Sequence, residues 1–166
     1  WYSYFPWEDW RSGTPEVLTS CITPQLQWLV KKEKNKALAQ QLHGRVSIAF
    51  GMDGHAWNED LVLQRYELLF EAGLVDEAER RGLPRRGDVP GRSMQHDHRR
   101  ILATGMARLR AKIKYRPVVF ELMPSEFTLL QLQQTVEALA GRGLHKQNFR
   151  RLMEQQELVE ETGQLT

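Results

Sequence analysis

The sequence predicts a mainly α chain with a minor β component (α+β) that closes in a helix-turn-helix. Three observations predict this. Phe127 to Gly163 reads as a helix, a Gly-containing turn, a second helix crowded with basic and amide side chains, and a short strand. Leu102, Met106, Leu109 and Ile113 are spaced i, i+4, i+7, i+11, an apolar stripe down one side of a helix. Hydrophobic residues make up 41% and charged residues 27% of the 166 residues, values of a folded chain rather than a disordered one.

The first 22 residues are aromatic and turn-rich, and predict irregular structure or one short edge strand. Six of the first ten are aromatic (Trp1, Tyr2, Tyr4, Phe5, Trp7 and Trp10), a strip that needs burial against something. A first residue of Trp rather than Met leads us to expect that the chain begins within a longer protein. Thr23-Pro24 is a helix start, and Leu26, Leu29, Val30, Ala37 and Leu38 extend that helix over 24–42. Lys31, Lys32, Lys34 and Lys36 read as its solvated face. Val46, Ile48 and Phe50 alternate and predict a short strand, followed by a turn at 51–54. Asn58 caps a predicted helix at 59–72 that Gly73 ends, and a short helix follows at 75–81. The Gly-, Pro- and Arg-rich stretch 82–94 reads as a loop.

The next helix is placed at 97–114. Asp97 at its start suits the helix dipole, Arg99, Arg100, Arg108, Arg110, Lys112 and Lys114 occupy the faces away from the stripe, and Arg116-Pro117 ends it. Residues 118–120 predict a brief extended segment, with a domain boundary near 116–124. Thr128 then opens a helix with Gln131 in capping-box position. Leu129, Leu132, Val136 and Leu139 form its core stripe, and Gly141 ends it. The second helix runs over 145–156 with Phe149, Leu152 and Met153 toward the core, and Leu158-Val159 leads as a strand into a turn at Thr162-Gly163.

Charge and cysteine content bound the function. Net charge is +2, but from Arg80 to Arg116 there are 12 Arg/Lys against Asp88 and Asp97, and from Pro117 onward four basic residues against seven acidic ones. Local charge therefore argues for nucleic acid more than global charge does. The lone Cys21 excludes an intrachain disulfide and suits a reducing, cytoplasmic setting. There is no apolar run near the ~20 residues that span a membrane.

Between Ala138 and Met153 there is no acid, and Arg142, Lys146, Arg150 and Arg151 are present with Gln147, Asn148 and His145. A recognition helix needs Arg or Lys for phosphate and guanine, and Asn or Gln for adenine. An ordinary solvated amphipathic helix would have the same composition. Composition alone favours that plainer reading, because Glu154, Glu157, Glu160 and Glu161 downstream would repel phosphate. The basic helix at 97–114 is a second candidate nucleic-acid surface. His96-Asp97-His98 lacks a second cluster of ligands at zinc-like spacing, so no metal is expected. Residues 65–75, RYELLFEAGLV, superficially match a Nudix box, but Phe70 and Glu71 stand where paired glutamates should, so magnesium chemistry is not expected. No Gly-rich phosphate loop or nucleophile elbow is present, and we expect neither enzymatic activity nor a bound cofactor.

The pieces ILATGMARLRAKIKY, FELMPSEFTLLQLQ and LHKQNFRRLMEQQELVEETG, within Asp97–Gly163, resemble the C-terminal part of Nudix-related transcriptional regulators of NAD metabolism. The upstream part, from WYSYFPWEDWR to RYELLFEAGLV, looks like the intervening region of a bacterial branch of that group. The resemblance implies an effector-sensing Nudix-like domain joined to a C-terminal winged helix that binds operator DNA as a homodimer and responds to an ADP-ribose-like nucleotide. It implies that residues 1–116 are the C-terminal remnant of the Nudix-like domain and that 117–166 are a winged-helix domain with an incomplete wing. It places Lys146, Gln147, Asn148, Arg150 and Arg151 on the recognition helix, with Thr128 near a phosphate at the start of the helix before it. We extend this DNA-binding set to Arg142 and His145. Most of the Nudix-like domain would lie before Trp1. Two other classes stand beside this one: a fragment of a Nudix-type nucleoside diphosphate hydrolase, and a protein–protein interaction module using the aromatic strip.

Overall fold

A computed structural model describes residues 1–113, 118–157, 159–160 and 162. The described residues are predominantly α-helical, with no strand among them. The helices are α1 (Thr23–Lys32), α2 (Lys36–Phe50), α3 (Val62–Glu71), α4 (Asp76–Arg80), α5 (His98–Ile113), α6 (Leu129–Ala140) and α7 (Lys146–Gln156). Short 3-10 turns lie at Pro6–Glu8 and Val118–Leu122, and a π-helical turn at Leu18–Ile22 leads into α1. A single parallel bridge joins Trp10 to Arg142 among the described residues. No described helix is long and apolar enough to cross a membrane.

Several expectations need correction. The strand expected at Val46, Ile48 and Phe50 is the last turns of α2. Val46, Ala49 and Phe50 are spaced i, i+3, i+4 and all buried, whereas Ile48 is 52% exposed. Helical spacing thus explains the burial and alternation does not. The helix expected over 24–42 is two helices. Glu33 and Asn35 are extended, and the Asn35 Oδ1 accepts hydrogen bonds from the amides of Ala37 (3.0 Å) and Leu38 (3.2 Å), a side-chain cap that starts α2 anew. Asn58 accepts from the amide of Asp60 in a turn, so α3 begins later than expected, at Val62. The extended segment expected at 118–120 belongs to the 3-10 turn. The expected strand at Leu158-Val159, the turn at Gly163, the wing, Lys114 and the Arg116-Pro117 helix end fall wholly or partly outside the described residues.

The aromatic strip finds its cover inside the chain. Phe5 and Trp7 are fully buried in the main core with Ile22, Leu26, Val62, Tyr66, Leu69, Ala103 and Met106, while Trp1, Tyr4 and Trp10 pack on its edge. Trp10 lies against Trp57 with ring centroids 4.5 Å apart. The strip as an interaction surface is therefore corrected for Phe5 and Trp7, whose rings no partner can reach. A second, smaller core gathers Val119, Leu132, Phe149 and Met153 between α6, α7 and the preceding 3-10 turn.

Charges are built into the main core. Arg65 sits at a core position of α3, spaced i+3 from Val62 and followed by the buried Tyr66 and Leu69. Its Nε and Nη2 donate to the two oxygens of the buried Glu8 at 2.5 and 2.8 Å, and its guanidinium stacks 3.9 Å from the centre of the Trp57 ring. Arg110 of α5 donates to the same carboxylate at 2.6 Å. One carboxylate thus faces two guanidiniums, and the remaining donors reach carbonyls of Ala49, Asn58, Glu59 and Leu139. Arg99 is buried beside Glu77 at 3.3 Å and among the rings of Phe5, Trp7 and Tyr66. Burial pushes its guanidinium pKa below the usual value, and Glu77 pulls it back up. The same burial raises the Tyr66 phenol.

Candidate nucleic-acid interface

The pair α6–α7 is a helix-turn-helix whose ends are written in the sequence. Thr128 Oγ1 accepts from the Gln131 amide at 3.1 Å, and the Gln131 side chain accepts from the Thr128 amide at 2.8 Å, a complete capping box. Thr128→Ala should lower stability by about 1 kcal/mol, read as a drop in the thermal midpoint. Gly141 closes α6 in the left-handed region at φ 76°.

The turn is tied by side chains that sequence reading passed over. The Glu137 carboxylate accepts from the Leu144 amide at 2.8 Å. Gln133 Nε2 donates to that carboxylate and to the Leu144 carbonyl, both at 3.0 Å. Gln133 is buried although it is polar, and its neighbours at i+4 and i+11 are the groups that satisfy it. An amide one turn before a glutamate near a helix end was the available signal.

On α7 the spacing sorts the side chains. Phe149 and Met153, one turn apart, are buried in the second core. Leu152, expected with them, is 45% exposed, because at about 100° per residue it swings off that narrow stripe. Gln147 and Arg151 share the face opposite the core, with Asn148 beside them and Arg150 at its margin, while Lys146 lies in the first turn nearer the core side; all five are exposed. Lys146, Arg150 and Arg151 are exposed, and among the described residues none of them makes an ion pair. His145 stands exposed at the N-cap of α7. Arg142 is exposed but leans on Glu59, 3.6 Å away. Thr128 is half-buried, with its amide and its hydroxyl oxygen both engaged by Gln131.

Of the second candidate surface, Arg108 and Lys112 are exposed, but Arg99, Arg100 and Arg110 are engaged within the chain. Arg99 and Arg110, expected on solvated faces of α5, are buried on its inner face, because the buried positions run Arg99, Ala103, Met106, Arg110. Arg100 pairs with Glu67 at 2.7 Å. Upstream, Arg81 pairs with Asp97, and Arg85 with Asp76, Glu79 and Asp88. Arg85 holds the Asp76 carboxyl below the usual carboxylate range. Six basic side chains of this stretch, Arg80, Arg81, Arg85, Arg99, Arg100 and Arg110, thus have carboxylate partners, some inside the stretch and some outside it. The two glutamates in the Nudix-like segment are engaged as well, Glu67 by Arg100 and Glu71 by Arg45 at 2.7 Å. Among the described residues no group of three or more His, Cys, Asp or Glu could hold a metal ion.

A capped helix, a Gly turn and a second helix with an outward basic and amide face make up a helix-turn-helix, and residues 119–166 match the family described as the NrtR DNA-binding winged helix domain. The chain is also 43% identical over 68 residues to the ADPR responsive transcriptional repressor NtrR of Acinetobacter baylyi (strain ATCC 33305 / BD413 / ADP1). That stretch is 41% of this chain and 27% of the relative's length. The chain thus resembles an NtrR-type repressor over that stretch.

Proposed function

We propose that this chain carries the DNA-reading part of a transcriptional regulator. The observation that carries the proposal is the exposed surface of α7, where Lys146, Gln147, Arg150 and Arg151 are open to solvent on a helix seated by Phe149 and Met153. α7 enters the major groove. Lys146, Arg151 and Arg142 neutralise phosphates, and Gln147, Asn148 and Arg150 meet base edges. Thr128 and His145, at the two helix N-termini, add donors to the backbone. Double-stranded operator DNA is the partner, bound by a homodimer whose two reading helices sit about one helical turn of DNA apart.

The likeness to an ADPR responsive repressor supports two further steps. Residues 117–166 form the winged-helix domain, and residues 1–116 belong with a Nudix-like domain that senses an ADP-ribose-like nucleotide. The protein then works beside DNA in the cytoplasm and regulates NAD or nucleotide-cofactor metabolism, without catalysis.

The assignment is tested by fluorescence anisotropy of the intact protein on a labelled duplex between 50 and 200 mM salt, as an order-of-magnitude range over which phosphate contacts show. With Arg142, Lys146, Arg150 and Arg151 on phosphate or bases, the logarithm of affinity should fall against the logarithm of salt with a slope of about −3 to −4 per reading helix. Affinity independent of salt, or no duplex binding at the lowest salt, rejects it.

A further inference from the structure

Three carbonyls at the end of α6 accept hydrogen bonds from residues outside the 119–166 segment. Tyr2 Oη donates to Ala138 O at 2.5 Å, Arg110 Nε to Leu139 O at 3.1 Å, and the Trp10 amide to Gly141 O at 2.6 Å. A helix end leaves such carbonyls without intrahelical donors. Here they receive donors from the N-terminal segment on one side and α5 on the other. Glu8 holds Arg110 in place at 2.6 Å and is itself gripped by Arg65. There is no slack at the junction: a Cβ on Gly141 would overlap the Arg110 guanidinium and the Glu8 carbonyl.

We propose that Tyr2, Glu8, Trp10 and Arg110 form a clasp that sets the attitude of the reading helix. They are positioning residues and touch no DNA themselves. α7 begins at Lys146, five residues after the clasped end of α6, and the intervening turn is fastened to α6 by Glu137 and Gln133. The clasp therefore acts on α7 through a stiff connection. A movement of the N-terminal segment or of α5 tilts the reading face, and a fixed segment holds it still. The geometry stands by itself; its purpose rests on the DNA-reading assignment.

Hydrogen–deuterium exchange of the intact protein tests this with Tyr2→Phe, which deletes one hydroxyl, and Arg110→Lys, which keeps the charge opposite Glu8 but loses the fork that reaches Leu139. Amide exchange across residues 138–148 should rise about fivefold in Tyr2→Phe, the effect of one lost hydrogen bond on local opening, while α1 to α3 keep their protection, and by at least as much in Arg110→Lys, which also loses the Glu59 carbonyl. Affinity for a mixed-sequence duplex should fall in parallel. Unchanged exchange at 138–148 in Tyr2→Phe overturns the clasp, and so does a rise spread evenly over all helices. Local loosening with unchanged duplex affinity overturns its positioning role. If the unsubstituted protein binds no duplex, the DNA assignment fails, and the exchange result alone decides the clasp.

Discussion

Glu8→Gln should destabilise the folded chain by on the order of 3–5 kcal/mol, measured by urea denaturation. The substitution keeps the shape and removes the charge. Arg65 and Arg110 would then lie buried together with only carbonyl oxygens to answer them, since Glu8 is the carboxylate both guanidiniums reach. Deleting one member of a buried ionic group costs far more than the net worth of the group, because the partners stay charged and dry. The three side chains should also behave as a unit. Arg65→Met added to Glu8→Gln should cost less than Arg65→Met alone, a coupling that a double-mutant cycle reads directly. A loss near zero for Glu8→Gln would mean that water reaches this cluster in solution.

The second large effect is expected in DNA binding. Arg150→Ala should cost about 1–3 kcal/mol of affinity for a recognised site, roughly 5- to 150-fold, and should relax discrimination at the base pair it meets. Lys146→Ala should weaken all duplexes to a similar degree and reduce the salt slope by about 1. Both side chains are exposed and make no ion pair among the described residues, so stability should move by no more than ~0.5 kcal/mol. Affinity loss with an unchanged unfolding curve is the combination that separates reading from folding. If both variants bind as the parent protein does, α7 is not the reading helix.

The C-terminal pair was legible because local signals agreed there. Thr128 and Gln131 at capping-box spacing, Gly141 in the left-handed region and Phe149 with Met153 on one stripe each need only a few neighbouring residues to be interpreted. The segment 46–50 misled because Val46 and Phe50 satisfy both alternation and helical spacing; only the exposure of Ile48 separates the two. The basic helix misled for a different reason. Arg99 and Arg110 look like surface residues until Glu77 and Glu8 are brought to them, and those partners lie 22 and 102 residues away in sequence. Periodicity carries no information about such pairings. Arg65 at a core position between Val62 and Tyr66 was the hint available, since a charge on an apolar stripe announces a buried counter-charge somewhere.

On the proposed function, the outward face of α7 has a consequence for how a DNA reader changes over time. Phe149 and Met153 seat the helix, and Gln147, Asn148 and Arg151 face away from that seat. Exchange of these outward residues perturbs little that the fold depends on. The proposed target sequence can therefore drift, or be redesigned, by substitution at a handful of positions while the scaffold beneath stays as it is. What the protein recognises and what keeps it folded are inherited almost separately.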